Sequence, residues 1–273
     1  MKINKILDIK ESIFIKKVLF LYPLLIMLFS YFFMSLAVYY VFNEYFQKEK
    51  ESVKQEFFSN LKKVTKQRVI TAKNVLEKIY LLELQREKEK LNTVLKVLAE
   101  GKNAKLDDIK IKTSKTPLHL DPEKYIYSYI KKNGVYYYAI ESRDSIVKKV
   151  KALVPKIFDS FRWGEKGYIF VHDSKGICYY HIDKSKIGKN RWNLKRNGVY
   201  VLQKLIKEAL KHPKGTYVSY IAYNPHGKPT EKISFILYDK TFDLTIGSGV
   251  YLNDLKASLN KIEKEKKSLY MIY

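Results

Sequence analysis

The sequence predicts an α+β domain carried behind an apolar N-terminal helix, and three observations lead there. First, Phe161 to His181 reads as a turn, a short strand, a tight turn and a second strand, with Asp173 to Gly176 as the joint. Second, three strand-like runs, Thr216 to Tyr223, Lys232 to Tyr238 and Leu244 to Tyr251, are separated by joints too short for anything but antiparallel neighbours. Third, helical periodicity flanks these runs, which predicts a twisted antiparallel sheet with helices on one face. With 273 residues, 46% of them hydrophobic, the chain is long and apolar enough to bury an ordinary core.

Taken in order, residues 1–17 are short and basic, with five lysines against Asp8 and Glu11. Val18 to Asn43 then carries no charge at all, which exceeds the roughly 20 residues a helix needs to cross a bilayer. We read 18–43 as a transmembrane helix. Lysines 16 and 17 flank its near end and Tyr39 and Tyr40 its far end, so the positive-inside rule leaves residues 1–17 in the cytoplasm and the rest outside the cell membrane. A cleaved signal peptide is the competing reading, since Ser35-Leu36-Ala37 has the small-x-small form of a cleavage site, but the apolar run is longer than a signal core.

Residues 44–144 are expected to hold a long helix and then a membrane-distal or accessory segment. Between Glu44 and Glu100 there is neither Gly nor Pro. Val53, Phe57, Leu61 and Val64, then Val75, Ile79 and Leu82, then Leu91, Val94 or Leu95, and Leu98 step by three or four. Such a stripe must be buried, either on its own domain or against the same helix of a second subunit, which makes a homodimer the expected assembly. Gly101 closes the helix, and the polar segment 102–122, with Pro117 and Pro122, reads as a loop. Tyr125 to Ile130 and Val135 to Ile140 flank Asn133-Gly134, a favourable hairpin turn.

Residues 145–254 form the expected main domain. A helix from Ser145 to Phe161, with Pro155 at its start or at a kink, leads into the hairpin. A turn centred on Ser174 and Lys175 would set Tyr168 opposite His181 and Phe170 opposite Tyr179, and would group Ile169, Val171, Cys178 and Tyr180 on the other face. A short helix over Val199 to Lys211 precedes the three strands. From 255 to 273 a Lys- and Glu-rich helix ends in Leu269 to Tyr273, which looks like the first residues of a second membrane span.

Several functions lose support at this stage. The net charge of +24 suggests nucleic acid, but lysine is spread along the whole chain and forms no basic arm. The single cysteine allows neither an internal disulfide nor a Cys-based zinc site. His172 and His181 stand at opposite ends of the expected hairpin, roughly 13 Å apart at about 3.3 Å per residue, which argues against a shared metal. No phosphate loop, carboxylate pair or serine elbow is present, so no catalytic residue, metal ligand or cofactor is assigned and an enzyme is not expected.

The ordered set Arg162-Trp163-Gly164, Gly167-Tyr168-Ile169-Phe170-Val171-x-Asp173, Gly176, His181, Gly188-Lys189-Asn190, Tyr220, Lys232-Ile233-Ser234-Phe235 and Gly247 to Asp254 resembles an extracytoplasmic Cache sensor domain, single or double, of a bacterial transmembrane receptor. The resemblance covers Ser145 to Asp254 and implies a PAS-like sheet. It also implies a small-molecule ligand, such as an amino acid or short carboxylate, sensed for a chemoreceptor, histidine kinase or cyclase. Ile182 where the family often has Pro, Trp163 for a usual Tyr, and Ala222 near a common aromatic position depart from the pattern. Whether 102–144 form a second module is left open.

For ligand binding the candidates are Arg162, Tyr168, His181, Tyr220 and Lys232. A carboxylate taken from water needs hydrogen-bond donors and positive charge, and these residues supply both. The competing class is a structural or adhesive envelope protein using the same anchor.

Overall fold

The computed structural model describes residues 2–102, 108–163, 167–223 and 227–253, with 257, 260, 261 and 264 beyond. Gly164 and Asp254 of the motif set, and nearly all of the helix expected over 255–273, lie outside these residues. The chain divides into two compact units, Met1–Ser59 and Asn60–Tyr273. Helix α1, Lys2–Ala99, is continuous, with Pro23 inside it. Within the first unit it carries a stretch long and apolar enough to cross a membrane, with mean hydropathy 2.0 and none of that stretch buried.

In the second unit, α1 buries Val69, Ala72 and Leu76 in one core and Leu91, Val94 and Leu95 in another. The Leu91, Val94 and Leu95 row is the expected one; the Val69, Ala72 and Leu76 row lies one step from the expected Val75–Ile79–Leu82 row, of which Ile79 still packs on the core while Leu82, like Val64, stays exposed. The helix is apolar on more than one side, so spacing alone did not select the buried row.

The segment after α1 contains a strand that the sequence reading treats as loop: β1, Lys110–Ser114, pairs with β3, Val135–Ser142, which also pairs with β2, Tyr125–Lys132. β1 is short and polar, and its pairing partner is set by tertiary structure. The β2–β3 turn is as expected, with Asn133 and Gly134 both at positive φ, the geometry of a two-residue hairpin turn. Helix α2, Arg143–Asp159, begins where the Ser142 hydroxyl accepts from the Asp144 N–H. Pro155 lies deep inside α2 and does not mark its start.

The main sheet runs β4-β5-β11-β10-β9, with β6 also paired to β5, along the edge opposite β11. Its strands are β4, Arg162–Trp163; β5, Gly167–His172; β6, Cys178–Tyr180; β9, Thr216–Tyr223; β10, Pro229–Asp239; and β11, Leu244–Tyr251. A small ribbon, β7, Lys195–Arg196, and β8, Val199–Tyr200, precedes helix α3, Val201–Lys211. One face of the sheet, with Ile169, Val171, Phe235, Leu237 and Ile246, packs on α1 and α2. The opposite face, with Tyr168, Phe170, Val218 and Ile236, is covered by α3, so helices flank both faces and not one. At the open side of β9, the Ser219 carbonyl accepts from the Lys204 ammonium of α3 at 2.8 Å.

The central hairpin departs from the expected register. Gly176 N–H donates to the Asp173 carbonyl, closing a turn on Ser174 and Lys175, but Gly176 adds a further residue at φ 87 and the strands resume at Asp173 and Ile177. The Asp173 carboxylate fixes this loop by accepting from the Lys175 and Ile177 amides. A second irregularity between Val171 and His172 then pairs Val171 with Tyr180 and His172 with Cys178. Cys178 therefore stands beside His172 and not with Ile169 and Val171; it is buried, and burial pushes its thiol up to about 11.

Candidate functional site

Between α3 and the Tyr168–Phe170 face of the sheet lies a cavity of about 410 Å³. Alternation along β5 turns Tyr168, Phe170 and His172 toward it, and alternation along β10 turns Lys232 to the same side. The loop 181–196 and α3, through Val201, Leu202 and Leu205, close the remaining walls.

Lys232 is 1% exposed. It pairs in register with Tyr220 on β9 and with Tyr251 on β11, so its stem is flanked by two aromatic strand neighbours. The ammonium donates to the Tyr168 hydroxyl at 3.1 Å. It also stands over the rings of Tyr168, Tyr251 and Phe170 at 4.4, 4.9 and 5.5 Å from their centroids. Among the described residues no carboxylate lies within ion-pair distance of it. Tyr220 shares a hydrogen bond with the Ser234 hydroxyl at 3.0 Å, and Tyr251 donates to the Tyr223 carbonyl at 3.0 Å.

His181 meets Tyr168, ring centroids 5.1 Å apart, although the register does not set them opposite. Its Nδ1 accepts from the Asp183 N–H at 2.9 Å, and its Nε2 lies 3.4 Å from the Tyr168 hydroxyl. Burial first, then the charges of Lys186, Arg191 and Lys232, push His181 down to about 2, so the ring is neutral. Because Nδ1 accepts, the proton of the neutral ring sits on Nε2 and points at the Tyr168 oxygen. That oxygen therefore receives from both Lys232 and His181, while burial raises the phenol's own pKa and keeps its proton in place.

Four of the five expected residues, Tyr168, His181, Tyr220 and Lys232, thus line one cavity. Arg162 does not. It is exposed on edge strand β4, where its charge adds to the hydrogen bond from Lys184, the largest cause, in lowering the Asp159 carboxyl. The two-residue strand β4 pairs only with the start of β5, which keeps Arg162 at the rim of the sheet.

Sequence reasoning weighed His172 only as a metal ligand and passed over Arg191, Arg196 and Tyr251; all four line the cavity. Tyr251 was recoverable, being the strand neighbour of Lys232. Arg191 and Arg196 sit in an irregular segment whose path no local pattern predicts. Arg191 is half-buried, and desolvation lowers its pKa; Arg196 stacks on the Tyr223 ring at 4.5 Å. Asp183 is the acidic residue of the lining, and it is bound to Ser185 and, at 3.3 Å, to Lys186. Ala222 also lines the cavity, next to Tyr223.

Residues 138–265 match the family described as Single Cache domain 2. A methyl-accepting chemotaxis protein of Vibrio parahaemolyticus is 32% identical over 41% of this chain and 73% of that one, with a TM-score of 0.34. A Cache chemosensory domain, described as the structural basis for carboxylic acid recognition, is 19% identical over 40% of this chain and 73% of its own, with a TM-score of 0.35. A periplasmic sensor domain of a chemotaxis protein is likewise 19% identical, over 40% and 74%, with a TM-score of 0.34.

Proposed function

We infer the function from one premise: the chain belongs to the Cache sensor family, through residues 138–265. It is a ligand-sensing signalling domain, and its α+β core is the PAS-like sheet of that family. Within that class we read it as a membrane-anchored receptor component for a short carboxylate.

Lys232 carries the choice of ligand. A buried ammonium whose contacts are a phenol and three aromatic rings has given up water without gaining a counter-charge, and an anion entering the cavity would supply one. Tyr168, Tyr220 and the neutral His181 add hydrogen-bonding groups around the same point. The excess of cationic over acidic groups in the lining favours an anion over an amine.

The uncharged run 18–43 serves as the anchor in the inner membrane, with residues 1–17 cytoplasmic and the sensor outside. Val64, Leu81 and Leu82, left exposed on α1, support pairing of two copies through this helix. Titration calorimetry and thermal melts of the full chain in detergent, across short carboxylates, amino acids and amines, test the reading. A carboxylate should bind and raise Tm, and Lys232→Met should lose that response. Indifference to every carboxylate would sink the carboxylate reading, and indifference to the whole set would favour an adhesive or structural envelope role. For topology, a periplasmic reporter fused after Lys267 should be active and a cytoplasmic one silent.

A further inference from the structure

The reading of Lys232 as a carboxylate anchor leaves the other end of the same cavity unexplained. Along β5, Tyr168, Phe170 and His172 alternate onto one face, so the floor runs polar, apolar, polar over about 13 Å of strand. Phe170 is held in the middle by Gly247 of β11, where even a Cβ would stand 2.2 Å from its ring.

At the far end His172 is 3% exposed, and neither of its ring nitrogens has a hydrogen-bond partner among the described residues. Buried side-chain polar atoms are nearly always paired, and an imidazole with both nitrogens unmatched at a cavity wall is a site waiting for one. Arg191 and Lys186 act on both His172 and His181, whereas Lys232 acts on His181 and is not among the charges felt at His172; Arg191 therefore reaches the end of the cavity that Lys232 does not. Lys186 is paired with Asp183. Arg191 has no carboxylate within ion-pair distance among the described residues. A neutral N–H donor and a half-buried guanidinium on the walls of one cavity match a carboxylate that accepts from both.

Building on the carboxylate reading above, we propose that the cavity takes a short dicarboxylate, one carboxylate at Lys232 and Tyr168 and the second at His172 and Arg191. A monocarboxylate would leave the far end unpaired. An amino acid would bring an ammonium to a wall whose acidic residue is already engaged.

Matched acids, butanoate against succinate and pentanoate against glutarate, test this by calorimetry on the full chain in detergent. The diacid of at least one pair should bind more tightly by about tenfold or more, since a site built for a polar group rejects the analogue lacking it. His172→Phe and, independently, Arg191→Gln should each lower diacid affinity by about tenfold and leave monoacid affinity within about twofold. Arg191 lies in a loop, so its variant carries the test should the strand variant fail to fold. Diacids no tighter than monoacids, or variants that weaken both alike, overturn the dicarboxylate assignment while leaving the carboxylate reading intact. If the wild type binds none of these acids, the carboxylate reading itself fails and this one with it.

Discussion

The Lys232 ammonium meets the Tyr168 hydroxyl at 3.1 Å, a phenol where a buried lysine ordinarily meets a carboxylate. Its charge is satisfied only in part by that oxygen and by ring faces, so ligand and protein each hold something the other lacks. Lys232→Met should therefore separate binding from folding. Carboxylate affinity should fall by about one to two orders of magnitude, the worth of a charge-assisted hydrogen bond of roughly 1.5 to 3 kcal/mol. Stability without ligand should hold or rise, because an uncompensated buried charge is exchanged for a thioether of similar length. Calorimetry and urea unfolding on the same preparation check both halves; a variant that unfolds in the absence of ligand shows the side chain to be structural.

Acid sensitivity should trace to the two cavity histidines. His172 is pushed down to about 3 and His181 to about 2 from the usual 6.5, chiefly by burial. Below about 6.5 the unfolded chain takes up these protons and the folded one does not, so stability is full above that pH and drains away as the pH falls toward about 3. In mid-window the two groups contribute up to about 2.7 kcal/mol per pH unit. His172→Phe should halve that contribution. Urea unfolding at pH 7, 6 and 5 reads the slopes, and equal slopes for wild type and variant would refute the assignment.

A third expectation concerns the junction of α1, β3 and α2. Glu87 and Glu141 are both buried, and Lys149 holds them from one ammonium at 3.3 and 2.9 Å, with Asp108 at 3.4 Å. Burial pulls the Lys149 pKa down, but the hydrogen bonds and charges of the two glutamates outweigh it and the net shift is upward. Lys149→Met leaves Glu141 buried without a cation next to Glu87, which keeps only Lys90 at 2.7 Å, and should cost about 3 kcal/mol. Adding Glu141→Gln should recover part of that loss. Denaturation midpoints of the single and double variants decide it, and strict additivity would argue that the three side chains do not act together.

Gly247 offers a steric test. Gly247→Ala drives a methyl into the Phe170 ring and should destabilise the domain by about 1 to 3 kcal/mol, while ligand affinity falls as the ring is pushed toward the cavity. Unfolding and binding measured together check it; an alanine tolerated in both would mean that the ring turns aside freely.

The strands of the main sheet were legible because their joints are short and their side chains alternate, and Lys232 was legible because its strand neighbour Tyr220 follows from that pairing. The central hairpin was legible in position but not in register. Gly176 looks like the end of a turn in sequence, yet it occupies a place of its own in the ladder, and only the Asp173 carboxylate holding the Ile177 amide fixes that count. Arg191 was illegible for a different reason. It reaches the cavity through a loop pinned by long-range bonds, its own amide donating to the Gly176 carbonyl and Gly188 to Cys178, which no periodicity encodes. Strand β1 failed for the same cause, since β3 and not its own composition makes it a strand.

Lys204 resting on the Ser219 carbonyl bears on how copies of this domain could meet. The outer edge of β9 is the place where a foreign strand could zip onto the sheet, and a lysine there puts a charge on the rim and occupies an acceptor such a strand would need. Edge-to-edge polymerisation is thereby discouraged. The cavity gains as well: β9 supplies Tyr220 to its wall, and an edge closed to intruders keeps that strand in the register on which Lys232 depends.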